Sequence, residues 1–285
     1  MSDAKLVLLG TKGGPRMAKG SDWPTSMVLD VGGRPYIIDA GLGVTRQFVE
    51  AGYSLGDVHT ILITHHHSDH ILELGPLLHT VWTSSPMREI EVYGPEPLEA
   101  SVELFFQSVA FDVRIRMEDE KQADPRGMFN CHEFKEGPVF EDDRVRVTAL
   151  WVPHPPVHEC YALKFETEDR TVVFSADTAY HPPLAAFAKD ADLLVHEVMH
   201  REGAKRMCER VKGVKPNLWE HMVAGHTFGE DVGRIATEAG VKHLVLNHYT
   251  PFDDPAVGHA EFQAIVRETW AGRLTAGRDL MELEI

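Results

Sequence analysis

The residues most able to do chemistry lie in one short run in the first quarter of the chain. Residues 61–63 are an apolar stretch typical of a short buried strand, and His65, His67, Asp69 and His70 follow in the pattern H-x-H-x-D-H. Side chains two residues apart on extended backbone point the same way, so His65 and His67 can reach one metal ion. A helix is predicted to begin at Asp69 and His70, which can turn toward a second ion. Neutral imidazole and carboxylate ligands suit zinc, and also iron or manganese.

The alternative is a surface histidine cluster or a tag-like metal-binding sequence. A tag lies at a terminus with no apolar strand before it, whereas this run is internal and follows a buried-strand pattern. A binuclear site also needs further ligands. His154, Asp177 and His248 each follow a predicted strand, whose end is rigid enough to hold a ligand in place. Alone, each would more often be a structural residue; with the first motif present, we expect them to be metal ligands.

The composition restricts the class of partner. The chain has 285 residues, 43% of them hydrophobic, which is enough for one large domain or two small ones. A formal net charge of -16 argues against a nucleic-acid backbone as the main partner, because such binders usually present a basic face. The three cysteines, Cys131, Cys160 and Cys208, are widely spaced and odd in number, so we expect free thiols in a reducing compartment.

The sequence does not indicate a membrane span or an export signal. No apolar run approaches the ~20 residues of a membrane span. The first residues lack the long apolar region of a signal peptide. The expected location is therefore the cytoplasm.

Hydrophobic periodicity predicts two successive blocks of strands, with helices between and after them. The predicted strands are 5–9, 26–31, 35–39, 61–63, 89–93, 145–152, 161–166, 171–174, 193–195, 243–246 and 279–285. The predicted helices cover about 44–51, 71–80, 95–110, 203–212, 218–224, 229–239 and 257–270. Two sheets packed face to face with helices outside satisfy this order, and ligands would gather at one end of the strands.

Two segments outside these elements could border a site. The glycine-rich loop at 10–16 lacks the G-K-[ST] sequence of a P-loop, so it is predicted to let the backbone pass close to a site. The stretch at about 111–135 has weak periodicity and mixed charge, and we predict an insertion near the mouth of the site that could act as a lid. An irregular surface excursion is the alternative for that stretch. Five aromatic side chains could line a pocket, although aromatics at such spacings are more often core residues. They are Trp23, Trp82, Trp151, Phe105 and Phe106.

With these residues in place, the chain resembles the metallo-β-lactamase-fold hydrolase superfamily over residues 6–285. The resemblance implies an α+β fold, a four-layer αββα sandwich, in a single domain over residues 1–285. It also implies two zinc ions, with manganese or iron as alternatives. By this resemblance, His65, His67 and His154 would hold one ion, Asp69, His70 and His248 would hold the second, and Asp177 would bridge both.

Four shorter motifs resemble the ribonuclease Z, arylsulfatase and cyclic-phosphodiesterase branch of that superfamily. They are Leu8-Leu9-Gly10-Thr11, His196-Glu197, Ala224-Gly225-His226-Thr227 and Asn247-His248-Tyr249. In that branch a glutamate and a histidine together protonate the leaving group, a role that Glu197 and His226 would take here. The alternative for His226 is a helix-flanking residue without a chemical role. His196, His200 and His221 are expected to be structural or surface residues.

The expected function is hydrolysis of small esters, with phosphodiesters favoured, by a hydroxide that bridges two metal ions. Asp69 would hold an ion and orient that nucleophile, and His226, paired with Glu197, would protonate the leaving oxygen. A lactonase or arylsulfatase-like ester hydrolase is the alternative, because the same residues would serve those reactions. Ribonuclease Z-type processing of transfer RNA is less favoured, since residues 111–135 lack the glycine and proline density of that enzyme's RNA-binding arm.

Three further functional hypotheses rank below these. They are a diiron redox enzyme of the same fold, a catalytically silent metal-binding or tRNA-binding module, and a β-lactam hydrolase. The expected partner is a small-molecule ester, without nucleic acid or membrane, and the resemblance adds a homodimer as an expectation.

Overall fold

The described residues of the computed structural model, 4–84 and 88–285, form fourteen strands and ten α-helices. The strands are β1 (Ala4–Gly10), β2 (Ser26–Val31), β3 (Arg34–Ile38), β4 (Thr60–Leu62), β5 (Ile90–Gly94), β6 (Phe129–Glu133), β7 (Gly137–Glu141), β8 (Arg146–Trp151), β9 (Tyr161–Glu166), β10 (Thr171–Phe174), β11 (Leu193–Met199), β12 (His243–Thr250), β13 (Arg273–Ala276) and β14 (Met281–Glu284). The helices are α1 (Val44–Glu50), α2 (Ser68–Ile71), α3 (Leu74–Ser84), α4 (Leu98–Ser108), α5 (Ala110–Asp119), α6 (Pro183–Phe187), α7 (Arg201–Val211), α8 (Leu218–Gly225), α9 (Gly229–Ala239) and α10 (His259–Arg267). Residues 1–3 lie outside the described residues; they begin the segment in which a signal peptide would lie.

The strands form two mixed sheets of seven strands each. The first sheet has the order β14-β1-β2-β3-β4-β5-β6, and the second has the order β13-β12-β11-β10-β9-β8-β7. In the first sheet β2 and β3 form an antiparallel hairpin whose turn needs positive φ at Gly32 and Gly33, +59° and +82°, which glycine adopts without a steric cost. In the second sheet β10, β11, β12 and β13 are parallel, so their carboxyl ends meet at one edge.

Three layers of apolar contact hold the sheets and helices together. Leu29, Ile38, Leu163 and Phe165 belong to a buried cluster between the two sheets. A second cluster packs α1, α3 and α4 on the outer face of the first sheet, and a third packs α6, α9 and α10 on the outer face of the second sheet. The four layers are therefore helices, sheet, sheet and helices, which confirms the predicted αββα sandwich. Among residues 4–84 and 88–285, no helix is long and apolar enough to cross a membrane.

The predicted strand boundaries were wrong at two places that matter for the site. The strands predicted at 193–195 and 243–246 continue to Met199 and Thr250. The polar pairs 196–197 and 247–248 interrupt the apolar pattern inside these central, fully buried strands, so the periodicity ended too early. Strands β6, β7 and β13 were not predicted, because each lies at a sheet edge and has few buried apolar residues.

The segment 111–135 has regular structure over much of its length. Helix α5 buries Val113 against the outer core of the first sheet, and Asp112 accepts a hydrogen bond from His79 at 2.9 Å. Strand β6 pairs in parallel with β5. The irregular-excursion alternative is therefore wrong for residues 110–119 and 129–133, while a lid role for the segment stays a prediction.

Candidate metal centre and acid pair

The histidine-rich run lies where β4 gives way to α2. The backbone is extended at His67, with φ −68° and ψ 146°, and the rings of His65 and His67 lie next to each other with their centroids 5.0 Å apart. The intervening His66 points elsewhere and contacts the Pro95 carbonyl oxygen through its Nε2 at 2.8 Å. Helix α2 starts at residue 68, and its first turn directs the side chains of Asp69 and His70 into the interior, where both are buried.

The first group of ligating atoms combines this run with residues from the second sheet. His154 Nε2 lies 2.9 Å from His67 Nδ1. The Oδ2 atom of Asp177 lies 3.7 Å from His154 Nε2 and 3.8 Å from His65 Nε2. These four side chains offer ligand atoms that lie within 4.8 Å of one another, a spacing that suits one metal ion.

The second group shares Asp177 with the first. Its Oδ1 atom lies 3.4 Å from His70 Nε2, and its Oδ2 atom lies 3.1 Å from His248 Nε2. The Oδ2 atom of Asp69 is 3.2 Å from His248 Nε2 and 3.7 Å from His70 Nε2. The structure thus brings together all seven residues expected as metal ligands, with Asp177 between two groups, and their ligand roles remain predictions.

Several polar atoms in these groups are better suited to binding a cation than to forming hydrogen bonds with one another. Among the described residues, His65 Nε2, His70 Nε2 and Asp177 Oδ1 are buried without a hydrogen-bond partner. Asp69 and Asp177 are 5% and 2% exposed, and buried carboxylates are costly unless they are paired or bind metal. A mixed imidazole and carboxylate donor set of this kind fits zinc, iron or manganese.

The electrostatics of the groups agree with metal binding. Burial lowers the pKa of His65 well below its usual value and that of His154 to about 3, so both rings are neutral, as ligands must be. Burial opposes the charge on Asp177, but His248 and His70 outweigh it and hold the pKa of this carboxyl well below its usual range. Burial would also lower the pKa of His70, but Asp177, Asp39 and Asp69 raise it well above its usual value. A metal ion would replace that proton on His70.

Residues outside the expected ligand set orient the predicted ligands. Asp39 Oδ2 contacts His70 Nδ1 at 2.7 Å, and its carboxylate also accepts bonds from the backbone N–H and hydroxyl of Thr64. The carbonyl oxygen of Gly225 contacts His154 Nδ1 at 2.7 Å. Such contacts fix the orientation of the imidazole ring that would bind a metal ion. The only sequence signal for Asp39 was its position directly after an apolar strand.

Three residues at or beside the site adopt left-handed backbone. Asp39, Ala176 and His248 have φ values of +61°, +55° and +47°. His248 is also the extra residue of a bulge in β12, because Asn247 pairs with Glu197 and Tyr249 pairs with Val198. A bulge re-aims a side chain that regular pleating would direct elsewhere, and left-handed conformation at non-glycine residues concentrates at functional sites.

Glu197 and His226 form a buried pair beside the second group. Glu197 Oε2 lies 2.9 Å from His226 Nδ1, and its Oε1 accepts the backbone N–H of Thr178 at 2.6 Å. The rings of His226 and His248 stack with their centroids 5.5 Å apart. Burial would lower the pKa of His226, but the adjacent Glu197 carboxylate, with Asp177 and Asp69, raises it to about 9. The structure therefore pairs the two residues expected to protonate a leaving group, and that role stays a prediction.

A cavity of about 330 Å³ opens over the two ligand groups and His226. His67, Asp69, Asp177, His226 and His248 line its base. The loop 13–16 and the loop 250–253 form one wall, and residues of α7 and α8, including an apolar set, form the other. That apolar set comprises Met207, Val211, Leu218 and Met222.

The lining differs from the sequence-based expectation. The described lining does not include any of the five aromatics proposed for a pocket: Trp82 and Phe106 are buried in the outer core of the first sheet, with Phe105 packed against it, and Trp151 is 40% exposed. Phe252 is the aromatic residue in this lining. His221, expected to be structural or on the surface, also lines the cavity, with its ring centroid 6.4 Å from that of His67. Neither residue lay in a motif that sequence reasoning could use.

This fold, with its paired histidine and aspartate groups at one edge of the sandwich, places the chain in the metallo-β-lactamase-fold hydrolase superfamily, as its sequence predicted. Within it, the chain belongs to the family described as Anti-Pycsar protein Apyc1, which matches residues 4–251. Ribonuclease Z of Mycobacterium bovis is 27% identical over 285 residues, covering 99% of this chain and 98% of the relative.

Solved structures agree on the fold. The metallo-β-lactamase-fold protein YhfI from Bacillus subtilis aligns with a TM-score of 0.73 and 21% identity, over 99% of both chains. The short form of human tRNase Z aligns with a TM-score of 0.70 and 20% identity, again over 99% of both chains. With the clustered histidines and aspartates, these findings identify the protein as a metal-dependent hydrolase of this fold.

Proposed function

We propose that this protein is a phosphodiesterase that acts on small substrates and uses two zinc ions, with manganese or iron as alternatives. His65, His67 and His154 would hold one ion, Asp69, His70 and His248 the other, and Asp177 both. Bound there, the ions would supply a nucleophile derived from water at neutral pH and positive charge opposite the phosphoryl oxygens.

The observation that carries the proposal is the buried Glu197–His226 pair, of which His226 lines the base of the cavity. Since Nδ1 of His226 contacts Glu197, its Nε2 is the nitrogen left to donate a proton to a leaving oxygen. An alkoxide leaving from phosphorus is a strong base and benefits from such a donor. Asp69 accepts the Gly14 N–H at 2.7 Å, and this fixed orientation would let it hold an ion and orient the nucleophile.

The cavity supports a small substrate. A volume of about 330 Å³ is in the range of small-molecule sites. Its apolar wall on α7 and α8 would exclude water, and Lys215 lines it with positive charge in a chain of net charge -16, whereas Arg16 in the same lining is paired with Asp253 at 3.0 Å. The Lys215 cation would favour an anionic substrate over a neutral lactone. A cytoplasmic location and a homodimer remain expectations.

The test uses apoprotein loaded with zinc or manganese and assayed with bis-p-nitrophenyl phosphate, a dinucleoside phosphate, an aryl sulfate and an acyl lactone. We expect phosphodiester turnover, and a loss of about 10²- to 10⁴-fold with the dinucleoside in His226→Ala. His221→Ala is the matched control, because its ring lines the same cavity without contacting Glu197, and its loss should be much smaller. Lactone or sulfate turnover that ignores His226 would refute the phosphodiesterase proposal.

Ribonuclease activity is the second candidate. Its support is the alignment with Ribonuclease Z of Mycobacterium bovis over nearly the whole of both chains. A transfer-RNA precursor with a 3′ extension belongs in the same assay. Cleavage of that precursor in preference to the dinucleoside, with affinity that falls steeply as salt rises, would favour this candidate.

A further inference from the structure

One buried cation near the cavity has no part in the proposed chemistry. Lys12 is fully buried, with no exposed surface. Its backbone N–H donates to the Trp23 carbonyl oxygen at 2.9 Å, and the next residue, Gly13, donates to the Tyr249 carbonyl oxygen at 3.1 Å. The chain at this point is thus tied to the loop before β2 and to β12 of the second sheet, and a lysine is rarely found at so buried a position unless it is paired.

The side chain of Lys12 reaches two parts of the cavity wall. Its Nζ donates to the carbonyl oxygen of Gly14 and lies 4.7 Å from the centroid of the Phe252 ring. Gly14 and Phe252 line the cavity, whereas Lys12 does not, so the ammonium lies behind the wall. Gly14 has φ +79° and donates its own N–H to Asp69 Oδ2 at 2.7 Å.

We propose that Lys12 is a positioning residue: its ammonium holds the Gly14 carbonyl and so limits rotation of the backbone at this glycine, whose N–H holds Asp69, and it supports Phe252 from behind the cavity. An ammonium has three donors and no acceptor, which suits a carbonyl oxygen and a ring face. Glycine at positive φ has no steric preference that would hold the peptide by itself. The hydrogen bond from Lys12 therefore supplies the orientation that the glycine backbone lacks.

If Lys12 acted only through its charge, a different result would be expected. The Lys12 cation lies close enough to Asp69 to interact with its charge. If only that charge mattered, its removal would change the field at the site but leave the loop 13–16 ordered. Local order of this loop therefore separates positioning from a general electrostatic effect.

The experiment measures hydrogen–deuterium exchange of the backbone amides of Gly13, Gly14 and Arg16 in the apoprotein of Lys12→Met. We expect exchange of this loop to be about 10- to 100-fold faster, because a hydrogen bond from a charged group is lost, with the remaining peptides unchanged. Lys12→Gln keeps a donor without the charge and should retain most of the protection. Lys5→Met is the matched control, since Lys5 also lies over an aromatic ring, at 5.6 Å from Tyr53, and pairs with Glu282, but lies outside the cavity.

A second readout uses the loaded enzyme and rests on the proposed function. There, kcat/KM for the favoured substrate should fall about 10- to 100-fold in Lys12→Met and remain unchanged in Lys5→Met. The exchange result does not depend on which substrate is turned over, so a wrong substrate assignment cannot be mistaken for a wrong role of Lys12. Unchanged exchange in Lys12→Met would overturn the assignment. Global unfolding of both Lys12 variants would overturn it as well, because it would make Lys12 a residue of overall stability.

Discussion

Replacing Glu197 by glutamine tests the proton-donor pair most directly. The carboxylate contacts His226 Nδ1 at 2.9 Å through Oε2 and accepts the Thr178 N–H at 2.6 Å through Oε1. In Glu197→Gln the amide oxygen must face Thr178, because that backbone group is a donor. The amide NH2 then faces His226 and cannot accept its Nδ1 proton.

The size of the effect follows from this geometry. An opposite charge within about 4–6 Å changes a pKa by about 1–3 units. The carboxylate raises the pKa of His226, so its loss should lower that pKa by about 1–3 units, equivalent to about 1.4–4 kcal/mol. Bound metal ions would lower the pKa of His226 in both proteins, and the difference between the two proteins is the quantity tested.

The assay is the pH dependence of kcat/KM for two phosphodiesters. A dinucleoside phosphate releases an alkoxide, which needs a proton, whereas bis-p-nitrophenyl phosphate releases a stable anion that does not. A general acid acts below its pKa, so activity toward the dinucleoside is lost as pH rises through that value. Glu197→Gln should move this basic limb about 1–3 units toward lower pH and leave the nitrophenyl profile nearly unchanged.

The controls decide what a change in rate means. Glu91→Gln removes a similar contact, from Glu91 Oε2 to His132 Nε2 at 2.7 Å, on the surface of the molecule. It should leave both profiles as they are. Metal content is measured for every variant, because Glu197 also lies 4.0 Å from His248 Nδ1. A basic limb that stays in place in a fully loaded Glu197→Gln enzyme would refute the reasoning.

Four other predictions concern the metal centre and the core. Asp39→Ala should weaken metal binding about 10- to 100-fold in chelator competition, since His70 Nδ1 loses its partner at 2.7 Å; unchanged affinity would contradict this role. Metal added to apoprotein at about 100 times its Kd should stabilise the fold by about 2.7 kcal/mol and raise Tm, and a constant Tm would count against the site. Metal affinity should fall as pH drops through the pKa of His70, which Asp177, Asp39 and Asp69 hold well above its usual value, because this ring must lose its proton to bind; calorimetry in buffers of different ionisation enthalpy should detect the proton released. Leu163→Ala, fully buried between the sheets, should cost about 2–5 kcal/mol in urea unfolding while metal affinity stays unchanged; a smaller cost would mean that the core relaxes around the cavity.

Sequence reasoning went furthest where local pattern carries the information. The placement of His65 beside His67 and a helix start next to Asp69 require only short-range geometry, and both are found, with α2 beginning at residue 68. The hairpin β9–β10 also has the predicted bounds, because the polar turn at 167–170 separates two short, mostly apolar runs. Predictions were wrong where the local pattern was weak: the edge strands were missed, and the polar ends of β11 and β12 were left out of those strands.

The sequence by itself determined the chemical types at the site and the class of fold. It contained the H-x-H-x-D-H run, the later His154, Asp177 and His248, and the alternation that makes two sheets. These follow from composition and spacing, which a chain carries whether or not it is folded.

The tertiary structure alone decided which side chains meet. His248 lies 179 positions after Asp69 yet 3.2 Å from it, a distance set by sheet order and by the bulge in β12. The contacts of Asp39 with His70 and of Lys12 with Gly14 and Phe252 depend equally on left-handed turns and on packing between sheets. Metal ligation and proton transfer require atoms placed to within fractions of an ångström, and only long-range packing of rigid strands supplies that precision.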